Sequence, residues 1–184
     1  MNKVIHKPVL IVIAGPNGSG KTSVTSKILH HEWMEDSMDA IMQAAKYSED
    51  IREQCLLEHK SLIFETVLSA KDKVDYICRA IHAGFFVRLF FVCTASPTIN
   101  ASRIANRVME GGHDVPIPKI ISRYHKSLLN CCLVSKLADR TYIYDNSIEN
   151  SDATLLFRLT KGQLAKQYVD VIPEWAYPIF NSDF

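Results

Sequence analysis

An α/β fold on a mostly parallel sheet is predicted by three features of this 184-residue chain. Apolar runs rich in β-branched and aromatic residues alternate with segments of helical periodicity. A glycine-rich turn joins the first such run to the first helix, and no apolar run nears the roughly 20 residues of a membrane span. An apolar fraction of 47% is ordinary for a globular protein, so a single domain over 1–184 is expected.

The first run, Val9-Leu10-Ile11-Val12-Ile13-Ala14, reads as a buried strand, as do 61–68, 85–93 and 140–145. Helical patterns follow at 21–31, 39–59, 70–83, 96–110 and 116–137. The last of these repeats Ile120, Ile121, Tyr124 and Leu128 at helical spacing. Strands alternating with helices imply right-handed crossovers and parallel pairing. The end of the chain differs. Runs 155–160 and 164–169 flank Lys161-Gly162-Gln163, a hairpin turn, so 150–184 is expected to be an antiparallel addition. Trp175, Tyr177, Pro178 and Phe180 are expected to pack the tail onto the body.

Gly15-Pro16-Asn17-Gly18-Ser19-Gly20-Lys21-Thr22 has the pattern G-x-x-x-x-G-K-T, a phosphate-binding loop set between strand and helix. Backbone N–H groups of such a loop and the helix N-terminus make a nest for anionic oxygens. Lys21 would reach the β/γ-phosphates and the Thr22 hydroxyl would ligate Mg²⁺. The ligand is ATP, or GTP, because these residues read phosphates and not the base.

Other polar groups fall where such a site needs them. Glu65 and Thr66 sit at the C-terminal end of a predicted strand, the edge at which open α/β sheets bind ligands. Glu65 would hold the Mg²⁺ water shell or grip a substrate hydroxyl. Arg103 and Arg107 share one helical face, and Arg123 lies on the next helix. Arginines on a closing lid, here 95–125, can neutralise charge that develops in phosphoryl transfer, with Gly111 and Gly112 as the hinge. His113 would position substrate or hydrogen-bond within its own turn. Asp145-Asn146-Ser147 ends the fourth strand, bordering the nucleotide base or forming an Asx turn.

Net charge is +1, so no global field recruits nucleic acid, and no basic-aromatic strip is visible along the chain. A polynucleotide kinase is accordingly the lowest-ranked reading. The five cysteines lack C-x-x-C spacing and sit in apolar surroundings, which marks them as reduced thiols in or near the core. Without a signal-peptide pattern at the N-terminus, a cytoplasmic protein away from the membrane is expected.

Taken together, the loop, Phe64-Glu65-Thr66-Val67-Leu68-Ser69, Arg107-Val108-Met109-Glu110-Gly111-Gly112-His113-Asp114-Val115-Pro116 and Tyr144-Asp145-Asn146-Ser147 resemble the zeta-toxin-like P-loop kinases over nearly the full length. The resemblance implies a three-layer P-loop NTPase fold of the mononucleotide-kinase type. Characterised zeta toxins use ATP to phosphorylate UDP-N-acetylglucosamine, and an antitoxin protein restrains them. By that likeness Lys21 and Thr22 serve ATP·Mg²⁺, Glu65 and Thr66 the substrate, and Arg107 and Arg123 the transferred phosphate.

The chain departs from the pattern after its first helix. Such kinases carry there a second strand and a turn resembling Ile-Asn-Pro-Asp, whose Asp accepts the proton of the attacking hydroxyl. Here 30–39 runs almost directly into the next helix, about twenty residues short of a strand and its loop. The second, edge strand is therefore expected to be missing or shortened. Glu35, Asp36 or Asp39 would have to supply the base, although Asp39 also suits a helix N-terminus. A nucleotide-binding module without turnover is the alternative reading.

Overall fold

The computed structural model describes residues 7–29, 49–112 and 114–181. Its six-stranded sheet has the order β2-β1-β3-β4-β5-β6. The strands are β1 (Val9–Ala14), β2 (Leu62–Thr66), β3 (Phe86–Cys93), β4 (Arg140–Asp145), β5 (Thr154–Thr160) and β6 (Gln163–Gln167). The first four pair in parallel and the last two are antiparallel, as expected. The helices are α1 (Lys21–Leu29), α2 (Glu49–Leu57), α3 (Lys71–His82), α4 (Pro97–Met109), α5 (Ile117–Leu137) and the short α6 (Tyr177–Phe180).

Leu10 through Ala14 are buried on both faces of β1, which is why that strand is continuously apolar and not alternating. Leu10, Val12 and Ala14 join the larger core, beneath α3, α5 and the tail. Ile11 and Ile13 join a smaller core with Val24 of α1. Two faces covered by helices make a three-layer α/β arrangement. Among the described residues, β2 ends the sheet on its side. The expected shortening at the second strand, and the acids Glu35, Asp36 and Asp39, lie outside the described residues.

The hairpin forms with a two-residue turn. Lys161 and Gly162 both take positive φ, 48° and 78°, the type I′ geometry whose twist matches that of the flanking strands. The tail is only partly as predicted. Trp175 is buried and Phe180 stacks edge-on against Phe157 at 5.1 Å, whereas Tyr177 and Pro178 face outward and Ile172 and Ile179 fill the interior instead. A 3₁₀ turn over Glu174–Ala176 runs into α6, and residues 175, 176 and 179 occupy the inner side of the two, which explains the exchange. Ile121 differs in the same way. It lies on the outer side of α5, while Ile120, Tyr124, Ser127, Cys131 and Val134 form the buried row.

Sheet alternation also gathers charge that is scattered in sequence. Arg88 lies beside Arg140, and both guanidinium groups stack over Phe86, while Arg158 lies between Tyr142 and Lys166.

All five cysteines are free thiols. Burial pushes the Cys93 thiol up to about 12 and raises Cys131 well above the usual thiol range. Because thiolate is the reactive form, these two should stay silent to a thiol-specific reagent near pH 8 in native protein. All five should react after denaturation. Titration of reactive thiols in the two states checks this, and rapid labelling of Cys93 in native protein would contradict the packing.

Candidate active site

The phosphate loop leaves β1 where its last backbone groups need partners. Gly15 N donates to Thr66 O at 3.2 Å, tying the start of the loop to the end of β2. Parallel register sets Ile13 beside Glu65 and Ala14 beside Thr66, so the two strands present the loop and the Glu65-Thr66 pair at one sheet edge. The Thr66 hydroxyl accepts from Leu68 N at 3.1 Å, which turns the chain away after the strand.

Two asparagines clamp the loop from distant parts of the chain. Asn100 of α4 is fully buried, donates from Nδ2 to Asn17 O at 2.6 Å, and accepts at Oδ1 from the Thr94 hydroxyl. Asn146, just past β4, donates from Nδ2 to Ser19 O at 2.8 Å. Gly20, with φ of 83°, makes room for it, since a Cβ there would lie 2.1 Å from Asn146 Nδ2. Neither Asn100 nor Thr94 has a sequence signal, because each lies far along the chain from the loop it supports. Asn146 was placed near the base, and it serves both edges, lining the larger cleft and holding the loop. The Asx turn is present as well, with Ser147 N and hydroxyl both bonded to Asp145 Oδ1.

Lys21 is buried and folds onto the loop, donating from Nζ to Gly15 O at 2.9 Å and Pro16 O at 3.1 Å. Burial lowers its pKa from the ordinary lysine value. Glu65 opposes that shift and Arg107 adds to it. Glu65 is 4.0 Å away and 40% exposed, a weak pair that leaves the ammonium short of negative charge. An anion in the loop would supply it.

Two clefts meet at this loop. One, of about 250 Å³, is lined by Asn17, Gly18, Lys21, Thr22, Glu65, Thr66 and Arg107. The other, of about 550 Å³, runs past Gly18 and Gly20 between α1, α4 and the segment after β4, and includes Arg103, Arg107, Tyr144 and Asn146. Arg107 borders both. Arg103 borders the larger cleft and donates to Asn146 O at 2.9 Å and Ile148 O at 3.4 Å, so it braces the cleft wall. Arg123 lies apart from both linings and reaches Asn17 Oδ1 at 3.4 Å. Pro16 and Ser19 complete the loop, with the Ser19 hydroxyl buried beneath it. His113 lies outside the described residues.

Gly111 and Gly112, expected as a hinge, form the C-cap of α4. Gly112 N donates to Arg107 O and Gly111 N to Val108 O, with Gly111 at φ of 90°, which together make a Schellman motif. A Cβ on Gly112 would lie 2.8 Å from Arg107 Cγ, so the cap packs directly on the Arg107 stem.

Known structures support the same architecture. No family model and no curated protein matches the chain by sequence. Chains of the AvrRxo1-ORF1:AvrRxo1-ORF2 complex match at TM-scores of 0.60 in the native form and 0.59 with ATP, at 14% and 15% identity. The chain spans 60% and 61% of their lengths, with 86% and 88% of its own length covered. A chain of the PezAT chromosomal toxin–antitoxin system of Streptococcus pneumoniae matches at a TM-score of 0.58 and 12% identity, over 100% of this chain and 82% of that one. The chain shares the α/β fold of these structures. No helix among the described residues is long and apolar enough to cross a membrane.

Replacing Asn100 by Ala would leave Asn17 O without its buried donor and the Thr94 hydroxyl without Asn100 Oδ1. Urea denaturation should show a loss of about 1–3 kcal/mol. ATP titration should show weaker binding, although Asn100 lines neither cleft. Unchanged stability would contradict the clamp.

Proposed function

We propose that this chain is an ATP-dependent phosphotransferase that moves the γ-phosphoryl group to a hydroxyl of a small molecule, with UDP-N-acetylglucosamine or a related sugar nucleotide as the first acceptor to test. One observation carries the reading. Lys21, Thr22, Glu65, Thr66 and Arg107, drawn from the loop, β2 and α4, line a single cleft that opens beside a nucleoside-sized one. Donor and acceptor can thus meet at the loop.

In such a transfer the acceptor oxygen attacks γ-phosphorus as the bond to the β-bridging oxygen breaks. ADP leaves, and the acceptor proton passes to a base. Lys21 and Arg107 would balance charge on the transferring oxygens, and the loop N–H groups would hold the phosphates in line. The donor set suits Mg²⁺. The Thr22 hydroxyl and the Glu65 carboxylate are hard oxygens in the same cleft, and Mg²⁺ takes one or two protein oxygens with phosphate and water completing its shell. When bound it would offset charge on the phosphates. Thr66 would orient the acceptor. Arg103 supports the nucleoside side and Arg123 steadies Asn17.

The structure solved with ATP supports ATP as donor, and the toxin–antitoxin system supports an antitoxin protein as partner. Cytoplasm is the setting this chemistry implies. A nucleotide-binding module without turnover is the second reading. It is favoured by Glu65 being the one carboxylate among the described residues that line the transfer cleft.

At Mg·ATP near 100 times its Kd, wild-type protein should gain about 2.7 kcal/mol of stability, read as a melting shift, and Lys21→Ala should lose that shift. Assay on sugar nucleotides, sugars, nucleosides and oligonucleotide ends should then find an acceptor. If Glu65 takes the proton instead of holding Mg²⁺, Glu65→Gln should cut turnover by about 10²–10⁴-fold while the Mg·ATP shift persists, whereas loss of both would mark it as the metal ligand. ATP binding with no phosphate transferred to any acceptor would decide for the module.

A further inference from the structure

Helix α5 is apolar on two sides, and only one of them faces the core. Its inner row, Ile120, Tyr124, Ser127, Cys131 and Val134, packs under the sheet. Ile117, Ile121, Leu129, Leu133 and Leu137 recur every four residues with His125 at the remaining step. Each step turns the row by about 40°, so it winds around the helix, and Leu129, Leu133 and Leu137 are the part of it opposite the core. These five aliphatic side chains are between 42% and 65% exposed. The fold does not need the three leucines apolar, and an exposed apolar patch of this kind marks an interaction surface.

The row has a shape and a charge. Residues at i±4n form the ridge that fits the groove of another helix, and Leu129, Leu133 and Leu137 make one over the C-terminal half of this 21-residue helix. No Asp or Glu occurs from Ile117 to Leu137, whereas Lys126, three residues before Leu129, and Lys136, three after Leu133, are exposed beside the ridge. The β5–β6 turn adds Lys161, held against the C-terminal end of the helix by its N–H bond to Ala138 O at 3.2 Å and by Gly162 packing on Lys136. The whole chain carries a net charge of only +1, so this is a local concentration of positive charge.

We infer that the outer face of the C-terminal half of α5 docks an acidic amphipathic helix of a partner protein, with its apolar side on the leucine ridge and its carboxylates on the flanking lysines. Two copies of this chain pairing through the ridge would bring lysines toward lysines, which opposes self-association. The site is separate from the two clefts and does not depend on the phosphotransferase reading.

The test uses the full chain and a synthetic helix as long as α5, with Leu in heptad a and d positions and Glu on the flanks. A sequence-scrambled peptide and a Lys-for-Glu peptide are the comparisons, read by fluorescence anisotropy. The Glu-flanked helix should bind at least about tenfold more tightly than either, and more weakly as salt rises. Leu129→Ser with Leu133→Ser should weaken it about tenfold. Lys126→Glu with Lys136→Glu, which leaves the ridge intact, should shift preference toward the Lys-flanked peptide. Equal binding of the scrambled peptide, or no effect of either double variant, overturns the inference. So does a wild-type dimer in sedimentation that the Leu double variant dissociates, which would make a second copy the occupant. Binding to phosphatidylglycerol vesicles that the same variant abolishes would likewise overturn it, in favour of a membrane surface.

Discussion

The site depends on keeping a polar backbone turn ordered at the end of a buried apolar strand. Beyond Gly15 N, which donates to Thr66 O of β2, the loop carbonyls have left the sheet, and an unpaired buried carbonyl costs about 1–3 kcal/mol. Asn100 donates to Asn17 O, Asn146 to Ser19 O, and Lys21 to Gly15 O and Pro16 O. Three side chains from α4, the segment after β4, and α1 thus satisfy four of the loop carbonyls. This leaves the N–H side of the turn available to anions, which is the chemical asymmetry a phosphate nest requires.

The same clamps connect the loop to the arginines. Asn100 and Arg107 both project from α4, so the helix that secures the loop also carries the cation bordering both clefts. Its end is set by Gly111 and Gly112, whose cap lies on the Arg107 stem. Helix α5 enters through Tyr124, which donates to Thr94 O at 2.6 Å, and through Arg123, which reaches Asn17. Motion of either helix relative to the sheet would therefore reach the loop through short, directional bonds.

Much of this was readable along the chain wherever the physics is local. Buried parallel strands are continuous apolar runs, so β1 and β4 stand at the expected bounds and β2 and β3 within a residue or two. The phosphate loop is legible because its Gly, Lys and Thr act within eight consecutive residues, and Arg103 with Arg107 because helical period alone puts them on one face. Side-chain direction was less readable. Ile121 and Tyr177 are apolar or aromatic yet face outward, since composition does not say which side of an amphipathic helix meets the core.

The sequence by itself determined the alternating α/β order, the phosphate loop, the strand-end Glu65 and Thr66 and the hairpin, all of which follow from period, turn chemistry and short spacing. Tertiary structure decided which distant groups serve that loop. Thr94, Asn100 and Asn146 are ordinary polar residues until the pairing of β3 beside β1 and β4 beside β3 brings them to one sheet edge. It also decided that the outer row of α5 stays uncovered among the described elements. Both outcomes are long-range, and a hydrogen bond spanning 83 or 127 positions leaves no periodic trace in the residues between its ends.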